Sequence, residues 1–339
     1  MKKIGFLSFG HWTPSPQSAT RSAKDVLQQS IDLAVAAEEI GADGAFFRVH
    51  HFARQLGSPF PLLAAIGAKT QRIEIGTGVI DMRYENPFYM TEDAGAADLI
   101  SDGRLQLGIS RGSPEQVIDG YRYFGHLPED GEDDAAMARR HTDVFLELLE
   151  GNGFAQPNPG RCSPIRPGSC ASSHTPKACA SGSGGAPHLR PPQFGRQARD
   201  ALDELHSRLR RVRRATSCAT TAADRLLSLS LGGSGLESRC PGIGQPQHLP
   251  NRRCPRPGLL RRRSVRQRPI GQIDAQTRAV FGRSYAAEPD KLIEQLKADT
   301  AIEAADTLLL TIPNQLGVDY CASVMEKFIK YVAKPMGWK

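Results

Sequence analysis

The sequence has no long hydrophobic run and few of the motifs that reveal a function at sight. No stretch approaches the roughly 20 consecutive apolar residues that a membrane span requires. Outside residues 157–269 there is no Walker loop, G-x-G-x-x-G fingerprint, Ser-His-Asp elbow or cluster of metal ligands. The N-terminal apolar run is too short and too interrupted by glycine for a signal peptide, so we expect a cytoplasmic protein.

Lysine, acidic and aromatic residues are scarce between positions 157 and 269. This block contains twenty Arg but one Lys, five Asp or Glu and a single aromatic residue, Phe194. Its net charge is +16, so the rest of a chain with a total charge of +7 carries −9. Six of the seven cysteines also lie there, but their spacing fits no zinc motif, and a cytoplasmic setting argues against a disulfide framework. The basic character therefore belongs to the block alone.

The first 156 residues repeat a strand–loop–helix pattern four times. Apolar, β-rich runs predict the strands, and apolar residues at helical spacing predict the helices between them. The predicted strands are 3–9, 44–49, 73–80 and 105–109, and the predicted helices are 22–40, 62–68, 86–102 and 134–149. After the block, a helix is predicted over 290–298, a strand over 307–312 and a helix over 318–332. This order is typical of a parallel α/β barrel, whose ligands bind at the C-terminal strand ends.

Four motifs resemble those of the bacterial luciferase-like, flavin-dependent monooxygenases. They are V-H-H-F at 49–52, I-G-T-x-x-I at 75–80, N-P-x-x-x-x-E-D at 86–93 and G-R-x-x-x-G-I-x-R-G at 103–112. The resemblance implies a (β/α)₈ TIM barrel whose N-terminal half is residues 1–156 and whose C-terminal segment is residues 270–339.

The resemblance also implies a reaction. Similar enzymes bind reduced FMN non-covalently and use O₂ as co-substrate to oxygenate a small organic substrate, with a flavin reductase supplying the reduced flavin. Related proteins are often homodimers. The alternative within the same fold is hydride transfer by a deazaflavin coenzyme.

Two neighbouring histidines, His50 and His51, follow the second predicted strand and are candidate catalytic residues. Histidine can act as a general base because its ordinary pKa lies near neutrality. Side chains alternate along a strand, so only one of the pair can point into the barrel mouth. On the residues alone, a histidine that hydrogen-bonds a neighbouring loop is an equally open interpretation. The resemblance implies that His50 is the active-site histidine.

The ends of the third and fourth predicted strands are candidates for cofactor binding. Glycine lets a flat ring approach the backbone, and the resemblance implies a non-prolyl cis peptide at Gly78–Val79 beneath the flavin ring. Arg111 can clamp a phosphate or face the flavin. A strand bulge, a helix cap at Asn86 and a solvated arginine are the alternatives. The predicted set is Gly76, Thr77, Gly78, Val79, Asn86, Ser110, Arg111, Gly112, Arg139 and Arg140.

Two interpretations of residues 157–269 are open. One is a disordered arginine-rich insertion, which would make the chain a nucleic-acid-binding protein on a barrel remnant. The other is a reading-frame slip, since out-of-frame GC-rich codons give mainly Arg, Pro, Gly, Ala, Ser and Cys. We favour the slip because lysine is scarce, the borders are sharp, and residues 177–187 can be back-translated to encode GLRERIWWGA two bases later. An out-of-frame block would remove barrel strands and impair activity.

Overall fold

The structure, a computed structural model, describes residues 1–110, 117–151, 154 and 285–339, and the backbone alone of 226–230, 270–272 and 278–280. The predictions for Arg111 and Gly112 lie outside the described residues, as does nearly all of the arginine-rich block. No helix within the described ranges is long and apolar enough to cross a membrane.

Strands and helices alternate from the first residues, as predicted. The strands are β1 (Lys3–Ser8), β2 (Gly44–Phe47), β3 (Glu74–Thr77), β4 (Ile80–Asp81), β5 (Leu105–Gln106), β6 (Ile109–Ser110), β7 (Leu226–Ser230), β8 (Ile270–Gln272), β9 (Arg278–Val280) and β10 (Thr307–Ile312). The helices are α1 (Ala23–Glu39), α2 (Pro59–Lys69), α3 (Pro87–Ile100), α4 (Asp134–Leu149), α5 (Pro289–Lys297), α6 (Thr300–Ala304) and α7 (Val318–Phe328). Short 3₁₀ turns occur at Gly120–Phe124 and Asn314–Leu316, and a π-helical turn, Ile329–Ala333, follows α7.

Local capping signals set the starts of two helices where they were predicted. Ser22 and Asp25 form a capping box at α1, in which the Ser22 hydroxyl accepts from the Asp25 amide at 3.2 Å and the Asp25 carboxylate accepts from the Ser22 amide at 2.9 Å. Asp133 caps α4 by accepting from the Ala136 amide at 2.7 Å. These contacts satisfy backbone donors that no helical carbonyl can reach.

The two ends of the chain form one parallel sheet, the wall of an α/β barrel. Its order is β5-β3-β2-β1-β10-β7, so β1 lies between β2 and β10. Lys3 pairs with Thr307 and Ser8 with Ile312, which brings residues some 300 positions apart into register. The prediction that head and tail belong to one barrel is therefore confirmed.

No regular element was predicted in the arginine-rich block, but β7 lies within it. Its backbone pairs in parallel with β10, from Leu226 opposite Thr307 to Ser230 opposite Thr311. A run of five residues is too short to show a period against an irregular background, and the free edge of β10 supplies its partner. β8 and β9 form a separate antiparallel pair.

The third and fourth predicted strands are each divided in two. β3 and β5 pair low in the barrel wall, whereas β4 and β6 pair beyond a break. At the break, the Thr77 hydroxyl donates to the Gly108 carbonyl at 2.9 Å and accepts from the Gly108 amide at 3.0 Å. The Thr77 side chain thus takes the place of one backbone hydrogen-bond partner in the sheet. The apolar runs themselves are not interrupted at this break, so they look continuous in the sequence.

The inward and outward faces of the strands carry different clusters. Phe6, Phe47 and Ile75 belong to the large core between sheet and helices. Leu7, Phe46 and Leu309 form a separate small cluster, against which Phe9 packs. Alternation along the strands assigns this second cluster to the barrel interior.

Candidate functional site

Phe9, Arg48 and Gly78 form one layer at the mouth of the barrel. Leu7 pairs with Phe46, and Phe46 with Gly76, in the layer below. The ladder continues upward, since the Arg48 amide donates to Ser8 at 2.9 Å and the Gly78 amide donates to Phe47 at 2.8 Å. Two residues further along each strand than Leu7, Phe46 and Gly76, the same interior face therefore carries the ring of Phe9, the guanidinium of Arg48 and the backbone of Gly78.

The two histidines have different surroundings, as their alternation predicted. Val49 is buried in the outer core, so Arg48 and His50 on either side of it face the mouth. The His50 amide donates to the Leu56 carbonyl at 2.9 Å, which fixes the backbone there. The His51 ring lies instead among aromatic rings. The alternation thus assigns His50 to the mouth, and its role as the active-site histidine stays a prediction.

Burial and neighbouring charges lower the pKa of both imidazoles, which keeps them neutral near pH 7. Burial lowers the pKa of His50, and the positive field of Arg48 lowers it further, while Asp81 acts in the opposite sense. Burial also lowers the pKa of His51, again opposed by Asp81. A neutral imidazole at the mouth has a nitrogen lone pair with which it can accept a proton.

A cis peptide bond joins Gly78 to Val79, which confirms the prediction that came from the family resemblance. The Val79 side chain is 40% exposed and gives the mouth an apolar surface beside this peptide. The interior side of Gly78 is already occupied, because an added Cβ would lie 2.7 Å from Leu7. At Gly76 a Cβ would lie 2.3 Å from the Gln106 carbonyl, so close strand packing alone requires glycine there.

The remaining predicted cofactor residues have structural partners. Asn86 caps α3, since its side-chain oxygen accepts from the Phe88 amide at 3.0 Å and the Tyr89 amide at 3.3 Å. The Ser110 hydroxyl donates to the Ile80 carbonyl at 3.2 Å across β4 and β6. Arg140 pairs with Glu132 at 2.9 Å, and Arg139 is exposed on α4.

A charged network around Arg83, behind the mouth, was not predicted from the sequence. Arg83 is 8% exposed and pairs with Asp81 at 2.7 Å and with Asp134 at 2.7 Å. Beside it, burial raises the pKa of Glu85 to about 7, and the neighbouring charges of Asp81 and Asp93 act in the same direction. No sequence spacing reveals this network, because Asp134 lies 51 positions from Arg83.

Two further histidines hold the loop between β4 and α3. A ring nitrogen of His141 lies 2.9 Å from the Met82 carbonyl, and one of His126 lies 3.2 Å from the Tyr84 carbonyl. Their rings are 5.0 Å apart in an edge-to-face arrangement. They thereby fix the backbone of Tyr84, whose ring contacts His51.

An aromatic cluster lines one side of the mouth. His51 lies 4.4 Å from the Tyr84 ring and 4.8 Å from the Phe124 ring, and its buried Nε2 has no hydrogen-bond partner among the described residues. Phe52 has a positive φ of 55° and is 47% exposed at the edge of the cluster. The cluster excludes water from His51 while leaving apolar surface open to solvent.

No group of three or more metal-ligating side chains occurs in the part of the chain that the structure describes. The mouth instead combines an apolar wall, a neutral imidazole and a half-buried guanidinium. Such a combination suits a flat organic ring that bears polar or anionic edges.

The chain resembles known proteins both in sequence and in fold. The family model described as luciferase-like monooxygenase matches residues 7–224. The uncharacterized protein YwcH of Bacillus subtilis (strain 168) is 34% identical over 99 residues, which are 29% of this chain and 30% of that protein. The alkanal monooxygenase alpha chain of Photorhabdus laumondii subsp. laumondii is 30% identical over 152 residues, which are 44% of this chain and 39% of that protein.

A solved structure with a similar fold is the oxygenating constituent of 3,6-diketocamphane monooxygenase from the CAM plasmid of Pseudomonas putida, in complex with FMN. It is 20% identical, and the superposition covers 47% of this chain and 42% of that one with a TM-score of 0.40. The chain thus spans well under half the length of the curated relatives described above.

Proposed function

Because this chain belongs to the family of luciferase-like monooxygenases, we propose that it is a flavin-dependent monooxygenase that oxygenates a small organic substrate with reduced FMN and O₂. The observation that carries the proposal is the position of His50 at the barrel mouth. His50 lies two residues beyond Arg48, and Arg48 lies in the same layer as Gly78. A proton acceptor, an apolar wall and a closely packed strand end meet there.

The residues present fit a flavin ring. Val79 supplies exposed apolar surface next to Gly78, and Phe9 adds an aromatic face in the same layer. Reduced FMN, when bound, supplies the electrons that activate O₂. Ser110 lies at the end of β6 in the predicted phosphate region, and we keep Arg111 and Gly112, outside the described residues, as predicted phosphate contacts.

The chain's own contribution is to move a proton and to exclude water. His50 is uncharged at neutral pH, so one of its ring nitrogens can accept a proton from a group in the mouth and return it later. His51, Tyr84 and Phe124 pack together beside it and keep water from that side. Glu85, with a pKa of about 7, can exchange protons in the same pH range.

We also propose that a separate flavin reductase supplies the reduced FMN, as the resemblance to the luciferase-like monooxygenases implies. A cytoplasmic location and a homodimer are part of the same proposal. Nucleic acid is not part of it.

The test is a titration of the purified full chain with FMN and with the deazaflavin coenzyme, followed by flavin fluorescence. Photoreduced FMN is then mixed with air-saturated buffer, and O₂ uptake is recorded with and without the protein. We expect tighter binding of FMN than of the deazaflavin and protein-dependent O₂ consumption. Binding of the deazaflavin alone, without any effect on O₂ uptake, would contradict the monooxygenase proposal and favour hydride transfer as the reaction.

A further inference from the structure

Arg48 is a half-buried cation that has no anionic partner among the residues that the structure describes. Within the described residues, its side chain makes no hydrogen bond and no ion pair, and its one specific contact is the face of Phe9, 5.1 Å from guanidinium carbon to ring centroid. A stacked ring accounts for part of its position but leaves the five N–H donors of the guanidinium without acceptors.

In the described part of the chain, the other arginines that lie below the surface have acceptors. Arg83 has two carboxylate partners, and Arg140 pairs with Glu132. Arg104 donates to the carbonyls of Gly67, Thr70, Ile73 and Ser101 and to the Thr70 hydroxyl. Among the described arginines below the surface, Arg48 is therefore the exception, since the others have acceptors for their guanidinium groups.

The surroundings of Arg48 are short of negative charge. His11 and His50 flank it, and the positive field of Arg48 contributes to the lowered pKa of each. The acid that acts on His50 is Asp81, but both carboxylate oxygens of Asp81 already accept from Arg83. No carboxylate of the described chain is thus left to neutralise Arg48, and burial lowers the pKa of its guanidinium.

The position of Arg48 sets what an anion there would contact. Its side chain leaves β2 on the interior face, between Phe9 on one neighbouring strand and Gly78 on the other. A guanidinium is a planar fork that matches two coplanar acceptor atoms. A flat ligand lying against Val79 would bring one edge to this fork.

We propose that Arg48 binds a planar anionic edge of a ligand in the barrel mouth. This rests on the proposed function, because the ligand is either the substrate or the cofactor of that reaction. Two sources share the chemistry: the carboxylate of an aromatic substrate, and the anionic pyrimidine edge of reduced FMN. Either would supply the acceptors that the described residues do not provide to Arg48.

Binding measurements on the full chain distinguish the sources. Benzoate and its neutral isostere benzamide serve as probes for a substrate carboxylate, and oxidised and photoreduced FMN serve as probes for the flavin. The variants are Arg48→Gln, which removes the charge, and Arg48→Lys, which keeps the charge but loses the fork. Arg54→Gln is the matched control, because Arg54 is an exposed mouth arginine stacked 5.4 Å from the Trp12 ring.

For a substrate carboxylate, we expect Arg48→Gln to weaken benzoate about tenfold or more, benzamide and both forms of FMN to bind unchanged, and Arg54→Gln to have no effect. For the flavin edge, Arg48→Gln should weaken reduced FMN about tenfold relative to oxidised FMN, with benzoate unaffected. If Arg48→Gln does not fold by near-UV circular dichroism, the same comparison is made with Arg48→Lys, for which a loss of several-fold is expected.

The proposal is overturned if wild type binds benzoate no tighter than benzamide and reduced FMN no tighter than oxidised FMN. It is also overturned if both preferences survive in Arg48→Gln. Failure of the proposed function looks different, because wild type would then bind neither form of FMN while its preference for benzoate over benzamide could still be measured.

Discussion

The imidazole of His51 stacks on the ring of Tyr84, with ring centroids 4.4 Å apart and ring planes inclined by 29°. Phe124 closes the cluster from the edge of both rings, at 4.8 Å from His51 and 5.1 Å from Tyr84. His51 thus behaves as a packed aromatic side chain, while its neighbour His50 faces the barrel mouth. The two histidines of one H-H-F motif have separate tasks, and substitutions can separate them.

Replacing His51 with Phe should preserve the stack, since a phenyl ring keeps the aromatic contacts and removes a buried nitrogen that has no partner. We expect the melting temperature to stay equal or rise slightly and reduced-FMN-dependent turnover to change by less than about threefold.

Replacing His50 with Asn should lower turnover by about 10²–10⁴, the usual contribution of a general base, with little change in melting temperature. Equal losses of turnover in the two variants would contradict this division.

Glu85 should destabilise the folded chain as the pH rises. Its pKa is raised to about 7 in the folded state, compared with about 4.3 in an unfolded chain, so between these values the folded state binds more protons. Stability contributed by the neutral carboxyl is therefore present below about pH 4 and is lost as the pH rises towards 7.

Glu85→Gln should remove this dependence. We expect a free energy of unfolding higher by roughly 1–2 kcal/mol at pH 8 and nearly unchanged at pH 4, measured by urea titration. Glu92→Gln is the matched control, because Glu92 is an exposed carboxylate on α3, and it should change stability by less than about 0.5 kcal/mol at either pH. A parallel shift of both variants at both pH values would rule out titration of Glu85 as the cause.

Local signals in the sequence predicted much of the helical layer. α4 occupies the predicted residues 134–149, and the capping box at Ser22 begins α1, because neighbours within four residues determine both. The break between β3 and β4 was not predictable, since it depends on Thr77 replacing a backbone partner for Gly108, 31 residues away.

Much of the candidate site depends on similar long-range contacts. The alternation of Phe46, Arg48 and His50 was visible in the sequence, and it orients all three towards the barrel interior. What could not be read from it is that no described acid pairs with Arg48, while Asp81 and Asp134 pair with Arg83. Charge pairing between distant loops is decided by the closure of the barrel, and a single sequence contains no local trace of it.

Arg83 should be essential for stability because it neutralises two carboxylates at once. Arg83→Met leaves Asp81, whose side chain is 16% exposed, with an uncompensated negative charge. We expect a loss of about 3–5 kcal/mol in the free energy of unfolding. The control is Arg122→Met, which breaks an exposed pair with Asp119 and should cost less than about 1 kcal/mol. A small, equal effect of both substitutions in urea titrations would show that the network around Arg83 is only a surface pair.

The arginine-rich block provides the last prediction. We propose that residues 1–156 and 270–339 are the barrel segments and that residues 157–269 are translated out of frame. The parallel pairing of β1 with β10 supports the first part, because it requires both ends of the chain in one wall. The pairing of β7 with β10 counts against the second part, because β7 lies within the arginine-rich block. The gene, resequenced around the codons for Pro157 and Ile270, should carry one insertion or deletion near each border.

A gene with the frame restored should encode the missing strands, which would close the edges of the sheet. We expect that protein to bind FMN stoichiometrically and to unfold in one cooperative thermal transition, whereas the chain as it stands should bind substoichiometrically and melt broadly. The comparison is controlled by a synonymous recoding of the original gene, which leaves the protein unchanged. Stoichiometric FMN binding and a sharp transition in the original chain would mean that residues 157–269 are a functional part of the protein.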